Sequence, residues 1–129
     1  MLRSCLNNNA GARFVTAKVL FVDDLVRRYR ALIEQFAAMY SSDDALQRQL
    51  AELDITAEDW DTNGAGGHLQ FAVPSDAAPV RFDTVDARTN DTDGTPIDII
   101  LHVVEGHLNW GEWFRVDAQR IQSWPPRAK

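Results

Sequence analysis

A stretch near the C-terminus, LHVVEGHLNWGEWF at residues 101–114, gathers side chains that do chemistry or bind partners. Glu112 lies between Trp110 and Trp113 in an otherwise apolar run that also contains His102. A carboxylate among apolar groups is costly to bury, so it lies at a rim, is paired, or works as an acid or base. These four residues are the candidate lining of a ligand-binding or enzymatic pocket between a sheet and helices.

The dipeptide at residues 105–106, Glu-Gly, determines which way these side chains face. A two-residue hairpin turn at this dipeptide, followed by strict alternation, places Glu112 in the middle of the apolar face. A β-bulge at Gly111 reverses the later side chains, so that Trp113 turns inward and Glu112 turns towards solvent or the rim. We favour the bulge, or an arginine partner for Glu112 at the sheet edge, over a working buried carboxylate.

A second candidate surface surrounds the tryptophan of the segment AEDWD. Tryptophan is a frequent anchor of protein interfaces, and acidic neighbours suit a basic patch on another protein. The sequence therefore predicts a partner-binding surface made of Trp60, Asp54, Glu58, Asp59 and Asp61.

Other patterns that would carry chemistry are incomplete. A metal site would need two of His68, His102 and His107 to converge with a carboxylate, and His68 could approach His102 only if their strands were neighbours; we expect structural or exposed histidines and no metal. NDTDG is similar to part of a calcium loop, but the twelfth position would be Ile100, where a glutamate is required. Cys5 lies in a polar segment, and the chain has neither a nucleophile elbow nor a phosphate loop. We expect no cofactor and a role other than catalysis.

Composition and charge narrow the class of partner. The chain has 129 residues, of which 45% are hydrophobic and 25% charged, values typical of one folded soluble domain. Asp and Glu outnumber Lys and Arg by 19 to 13, which disfavours nucleic acid and anionic membranes and favours a basic protein partner. The single cysteine excludes an internal disulfide. Neither a signal peptide nor a membrane span is apparent, and we expect the cytoplasm.

Helical periodicity is clearest in the first half of the chain. One stripe comprises Leu25, Tyr29, Leu32, Ile33, Phe36 and Tyr40, and a shorter one comprises Leu46, Leu50 and Leu53. SSDD between the stripes predicts a helical hairpin whose second helix is capped at Ser41 or Ser42. Upstream, we expect a mobile tail at 1–12, a strand or a further helical turn at 13–22, and a cap at Asp23 or Asp24.

The second half alternates with a period of two, which is typical of strands. We predict strands at 68–73, 80–85, 97–104, 107–116 and, as an edge strand, 120–124. NGAGG at 63–67 is interpreted as a flexible break, and residues 54–61 are left outside the pattern. The sequence thus predicts a single α+β domain, residues 1–129, with an N-terminal helical pair packed on one face of a four- or five-stranded antiparallel sheet. Self-association through an exposed edge strand is a further alternative.

The last third of the chain also resembles a known family. DTDGTPIDIILHVVEGHLNWGEWFRVDAQRI is similar to the C-terminal signature D-x-D-G-x-P…L-L-H-V-x-D-G-x-L-x-E-L-E-x-[YF]-R-x-D-G of small uncharacterised bacterial proteins. The matching residues are Asp93, Gly94, Pro96, Leu101, His102, Val103, Gly106, Leu108, Glu112, Phe114, Arg115 and Asp117. The chain departs at Trp110 and Gly111, where the signature has Glu and Leu, and at Ala118, where it has Gly. The resemblance implies an α+β architecture, no assigned activity, and an analogy in size and acidity to toxin-neutralising immunity proteins.

Overall fold

The computed structural model describes residues 25–126, and the expectations for 1–12, 13–22 and the Asp23/Asp24 cap lie outside them. The elements are helices α1 (Arg30–Met39) and α2 (Asp44–Ala51) and strands β1 (Asp54–Trp60), β2 (Gly66–Ala72), β3 (Thr84–Asn90), β4 (Pro96–Val104) and β5 (His107–Arg115). All neighbouring strands run antiparallel, in the order β1-β2-β5-β4-β3. The predicted α+β class is confirmed.

The two helices pack on one face of the sheet through the predicted stripes. Tyr29, Leu32 and Phe36 are buried in the same core cluster as Leu46 and Leu50 of α2 and the inward side chains of the strands. Burial of this apolar stripe stabilises the helices, because isolated helices of eight to ten residues are marginal in water. The core therefore lies between the helical pair and one face of the sheet.

The connection between the helices is held by two polar side chains. The Asp43 carboxylate accepts a hydrogen bond from the Leu46 amide at 2.9 Å and caps α2, so the predicted cap at Ser41 or Ser42 is wrong by one or two positions. Gln47 Nε2 donates to the carbonyls of Ala37 and Tyr40, at 2.8 and 2.9 Å. These bonds satisfy carbonyls at the end of α1 that have no partner within the helix.

Three segments differ from the predicted strands. Residues 54–60, for which the sequence predicts no strand, form the edge strand β1. Strand β3 begins at Thr84, because the Val80 amide donates to the Gly106 carbonyl and residues 80–83 form a loop. Residues 120–124 are not a strand: the Ile121 amide bonds to the Gly64 carbonyl, and the next two amides bond to a carboxylate.

The glycines at 66 and 67 lie in β2 and are not part of a flexible break. A Cβ on Gly67 would lie 2.6 Å from Trp113 Cζ2 and 2.4 Å from the Asp59 carbonyl oxygen. Only a residue without a side chain lets the Trp113 indole lie across β2 at this point. The turn itself is confined to residues 61–65.

The predicted two-residue turn between β4 and β5 is confirmed, with φ of 52° at Glu105 and 83° at Gly106. After the Val103–Leu108 pair the register shifts by one residue, so that Asn109 is extra and His102 pairs with Trp110. The bulge is at Asn109, not Gly111. Its effect is the one expected from a bulge, because the later side chains change faces. The register that buried Glu112 in the apolar face is therefore wrong.

Gln49 is a fully buried polar residue that links α2 to two loops. Its Nε2 donates to the carbonyls of Ala78 and Gly106, both at 2.9 Å, and its Oε1 accepts from the Leu108 amide at 2.9 Å. Every polar group of the side chain thus has a partner, which is the condition for burying an amide without a large penalty.

An ion-pair cluster joins two segments of the signature, the DTDG turn at residues 91–94 and the R-x-D segment at residues 115–117. The Arg115 guanidinium donates to Asp91, Asp93 and Asp117 at 2.8, 2.7 and 2.8 Å. Burial alone would raise the pKa of Asp91, but backbone amides and Arg115 hold that pKa below its ordinary value. In the NDTDG segment, which is similar to part of a calcium-binding loop, the carboxylates bind the Arg115 guanidinium. These bonds connect the turn to the end of β5.

Candidate functional site

The sheet face opposite the helices carries a cluster of aromatic, imidazole and carboxylate groups. The His102 ring stacks on the Trp110 indole with centroids 3.9 Å apart and planes 9° apart. Glu112 Oε2 accepts a hydrogen bond from His102 Nε2 at 2.7 Å. The His68 ring centroid lies 5.8 Å from that of Trp110. We call His68, His102, Trp110 and Glu112 the open-face cluster.

Strand register explains why these residues meet. The bulge at Asn109 brings His102 opposite Trp110, and the β2–β5 register brings His68 opposite Glu112. Side chains directly opposite on neighbouring strands are close enough to interact. Three of the four residues predicted to line a pocket are therefore together, on the solvent side of the sheet.

Trp113, the fourth predicted pocket residue, lies on the other face. It is 2% exposed and stacks on Trp124 with ring centroids 5.0 Å apart. The space around it, between helices and sheet, is packed: the residual cavity is about 20 Å³, lined by side chains such as Tyr29, Phe36 and Leu101. This volume holds about one water, whereas ligand pockets begin at about 300 Å³. The four residues do not line one cavity, and no ligand-sized space separates helices from sheet in the described residues.

Exposed carboxylates gather at the edge of the sheet formed by β1. Asp54, Asp59 and Asp61 are exposed, and we call these three residues the acidic edge. Asp59 is paired with His68, which is paired in turn with Glu112. Asp59 therefore joins the acidic edge to the open-face cluster, along one row across three strands.

Glu58 and Trp60 lie on the opposite, helix-facing side of β1. The Glu58 carboxylate accepts hydrogen bonds from the Tyr29 hydroxyl and, at 3.2 Å, from Arg28. Burial, and then the bond to Glu58, raise the pKa of the Tyr29 hydroxyl far above its ordinary value. Trp60 is 39% exposed and packs edge-on against Trp113 with centroids 5.3 Å apart. The predicted partner-binding residues are thus divided between the two sides of β1.

The other edge strand, β3, is covered by side chains of the helical hairpin. The Asp83 carbonyl accepts from the Val103 amide, so alternation directs the carbonyls of Asp86 and Arg88 away from β4. The Tyr40 hydroxyl donates to the Asp86 carbonyl at 3.2 Å, and Gln35 Nε2 donates to the Arg88 carbonyl at 3.5 Å. A strand added at this edge would have to compete with both bonds.

Within residues 25–126, no group of three or more His, Cys, Asp or Glu side chains is placed to hold a metal ion. Over the same residues, no helix combines the length and the apolar character needed to cross a bilayer.

His68 is the member of the open-face cluster that is not among the predicted pocket residues. Alternation in HLQF places it on the face opposite Leu69, but only the β2–β5 pairing brings it to Glu112. Comparisons of the chain with models of protein families, with curated proteins and with solved structures gave no match.

Proposed function

We propose that this chain is a non-catalytic protein-interaction module whose partner presents a basic surface. The observation that carries the proposal is the acidic edge: Asp54, Asp59 and Asp61 are all exposed along the sheet edge that β1 forms. The partly exposed Trp60 lies on the same strand.

Charge and packing both support this role. The chain has a net charge of −6, and carboxylates grouped at one edge steer a basic partner towards that edge and disfavour acidic ones. Trp60, partly exposed on the other side of the same strand, supplies apolar contact area of the kind that anchors interfaces. The packed space between helices and sheet counts against a substrate pocket there.

An immunity-type role is the narrower form of the proposal. In that form the partner is a basic toxin domain, and the module acts in the cytoplasm. It is supported by the resemblance of the C-terminal third to small uncharacterised bacterial proteins, by the analogy in size and acidity to immunity proteins, and by the acidic edge, which suits a basic enzyme surface.

Affinity capture from an extract of the native host tests the proposal. The bait is the full chain, compared with Asp54→Asn/Asp59→Asn/Asp61→Asn. The matched control, Asp44→Asn/Asp76→Asn/Asp83→Asn, removes the same charge from exposed positions outside the acidic edge. We expect a basic protein to be captured by the parent and the control and to be lost with the acidic-edge variant. Absence of a specific partner, or equal loss with both variants, would contradict the proposal.

A further inference from the structure

We propose that the partner is anchored on the open-face cluster, by an arginine side chain that contacts Trp110 and pairs with Glu112. This inference rests on the proposed function and specifies where the basic partner binds. It moves the aromatic anchor from Trp60, on the helix-facing side of β1, to Trp110 on the open face.

The first argument is that the acceptor is already positioned. Glu112 Oε2 is bonded to His102 Nε2, and the His102 ring is held by stacking on Trp110. The other carboxylate oxygen of Glu112 has no protein partner among the described residues. The Glu112 side chain is 28% exposed, so a cation can reach it while much of its surface is shielded from water. A carboxylate fixed on rigid strands loses little freedom when it binds.

The second argument is the combination of charge and aromatic surface. Asp59, His68 and Glu112 are consecutive in one cross-strand row, so a second carboxylate lies two strands from Glu112 on the face that a cation would approach. Tryptophan is the best aromatic partner of a cation, and the planar guanidinium both stacks on rings and donates to carboxylates. Phe114, 37% exposed on the same face, adds apolar surface for the aliphatic stem of the arginine.

The same charges disfavour other occupants of the face. A phosphate-bearing partner would meet the carboxylates of Asp59 and Glu112. A second copy would present the same carboxylates, and Arg88 on this face is already bonded to Asp98 at 2.6 and 3.1 Å. A cationic protein segment is therefore the occupant that fits.

The test is a titration of the ¹⁵N-labelled full chain with a tetra-arginine peptide, using a tetra-citrulline peptide as the neutral control. The indole N–H resonances of Trp60, Trp110, Trp113 and Trp124 report separately on the two sides of the sheet. We expect a saturable shift at Trp110 with tetra-arginine alone. We expect Glu112→Gln to weaken the apparent affinity about fivefold or more, and Asp83→Asn to leave it within about twofold.

Several results would overturn the inference. One is no saturable shift at Trp110, and another is a shift at Trp60 alone. A third is a dimer in sedimentation that disappears with Arg88→Gln, because the face would then bind a second copy. Capture of a host partner that depends on the acidic edge but is unchanged by Trp110→Ala would also overturn it, while the proposed function would stand. A Trp110 shift without any host partner would support the site and contradict the proposed function.

Discussion

Arg115→Gln removes the guanidinium that joins three carboxylates at the end of β5. Arg115 is 6% exposed, and the side chain of its partner Asp91 is completely buried. The substitution leaves Asp91 as a buried carboxylate without its cation, although the amides of Thr92, Gln122 and Ser123 still donate to it. The variant therefore tests whether the signature residues stabilise the fold.

The expected loss follows from the burial of the pair. Removing one partner of a buried ion pair costs about 3–5 kcal/mol, because the remaining charge is uncompensated. The amides that still donate to Asp91 favour the lower end of this range of energies. Loss of the ion pairs with Asp93 and Asp117 adds little to the cost, because both carboxylates are partly exposed. We expect the free energy of unfolding to fall by about 3 kcal/mol, a large share of the roughly 5–15 kcal/mol of an ordinary domain.

Urea unfolding at pH 7, followed by tryptophan fluorescence, measures this loss. With a denaturant slope of about 1–3 kcal/mol/M, the midpoint should fall by about 1–3 M. Arg88→Gln is the matched control: its side chain is 60% exposed, and its loss should cost less than about 1 kcal/mol. The reasoning would be refuted if Arg115→Gln lowered the free energy of unfolding no more than Arg88→Gln does.

Three further results are expected from the same assay. Gln49→Leu should lower the free energy of unfolding by about 1–3 kcal/mol, because the buried Leu108 amide and the Ala78 carbonyl lose their partner and the Gly106 carbonyl keeps only the Val80 amide; Gln70→Leu on the exposed face should change it by less than about 0.5 kcal/mol. Gly67→Ala should lower the free energy of unfolding more than Gly94→Ala does. The new Cβ meets Trp113 and the backbone at Gly67, whereas at Gly94 it meets open space and only the positive φ is strained. Equal losses of stability would contradict this packing. The pKa values of the aspartates around Arg115 are lowered by folding, so their contribution is complete above the unfolded-state pKa of about 4 and is lost as pH falls through the folded-state values. Unfolding at stepwise lower pH should therefore show the gap between the parent and Arg115→Gln closing below about pH 4, and a constant gap would count against the cluster.

The parts of the fold that depend on local pattern were predictable from the sequence. The helical stripes and the turn at residues 105–106 are set by short-range spacing and by backbone preference, and both are confirmed. Strand β1 was missed because an edge strand with exposed acids on one side lacks clear alternation. The segment at 120–124 looked like a strand but is held by Asp91, a contact between residues distant in the sequence.

The candidate site was less predictable, because it depends on strand order and on one bulge. Gly111 was the natural position for the bulge, yet its missing side chain makes room for Phe71, whose ring would lie 2.9 Å from a Cβ there. That requirement comes from β2, which local spacing does not identify as the neighbour of β5. For the same reason His68 could not be assigned to the cluster from the sequence.

The outward position of Trp110 and Glu112, with Trp113 inward, is the central claim, because the acidic edge and the open-face cluster join only in that register. Nuclear Overhauser contacts of the indole rings measure it directly. We predict contacts of Trp110 with the ring protons of His102 and His68, and of Trp113 with the α-protons of Gly67 and the ring of Trp124. Contacts of Trp110 with Trp124, or of Trp113 with His102, would contradict the account.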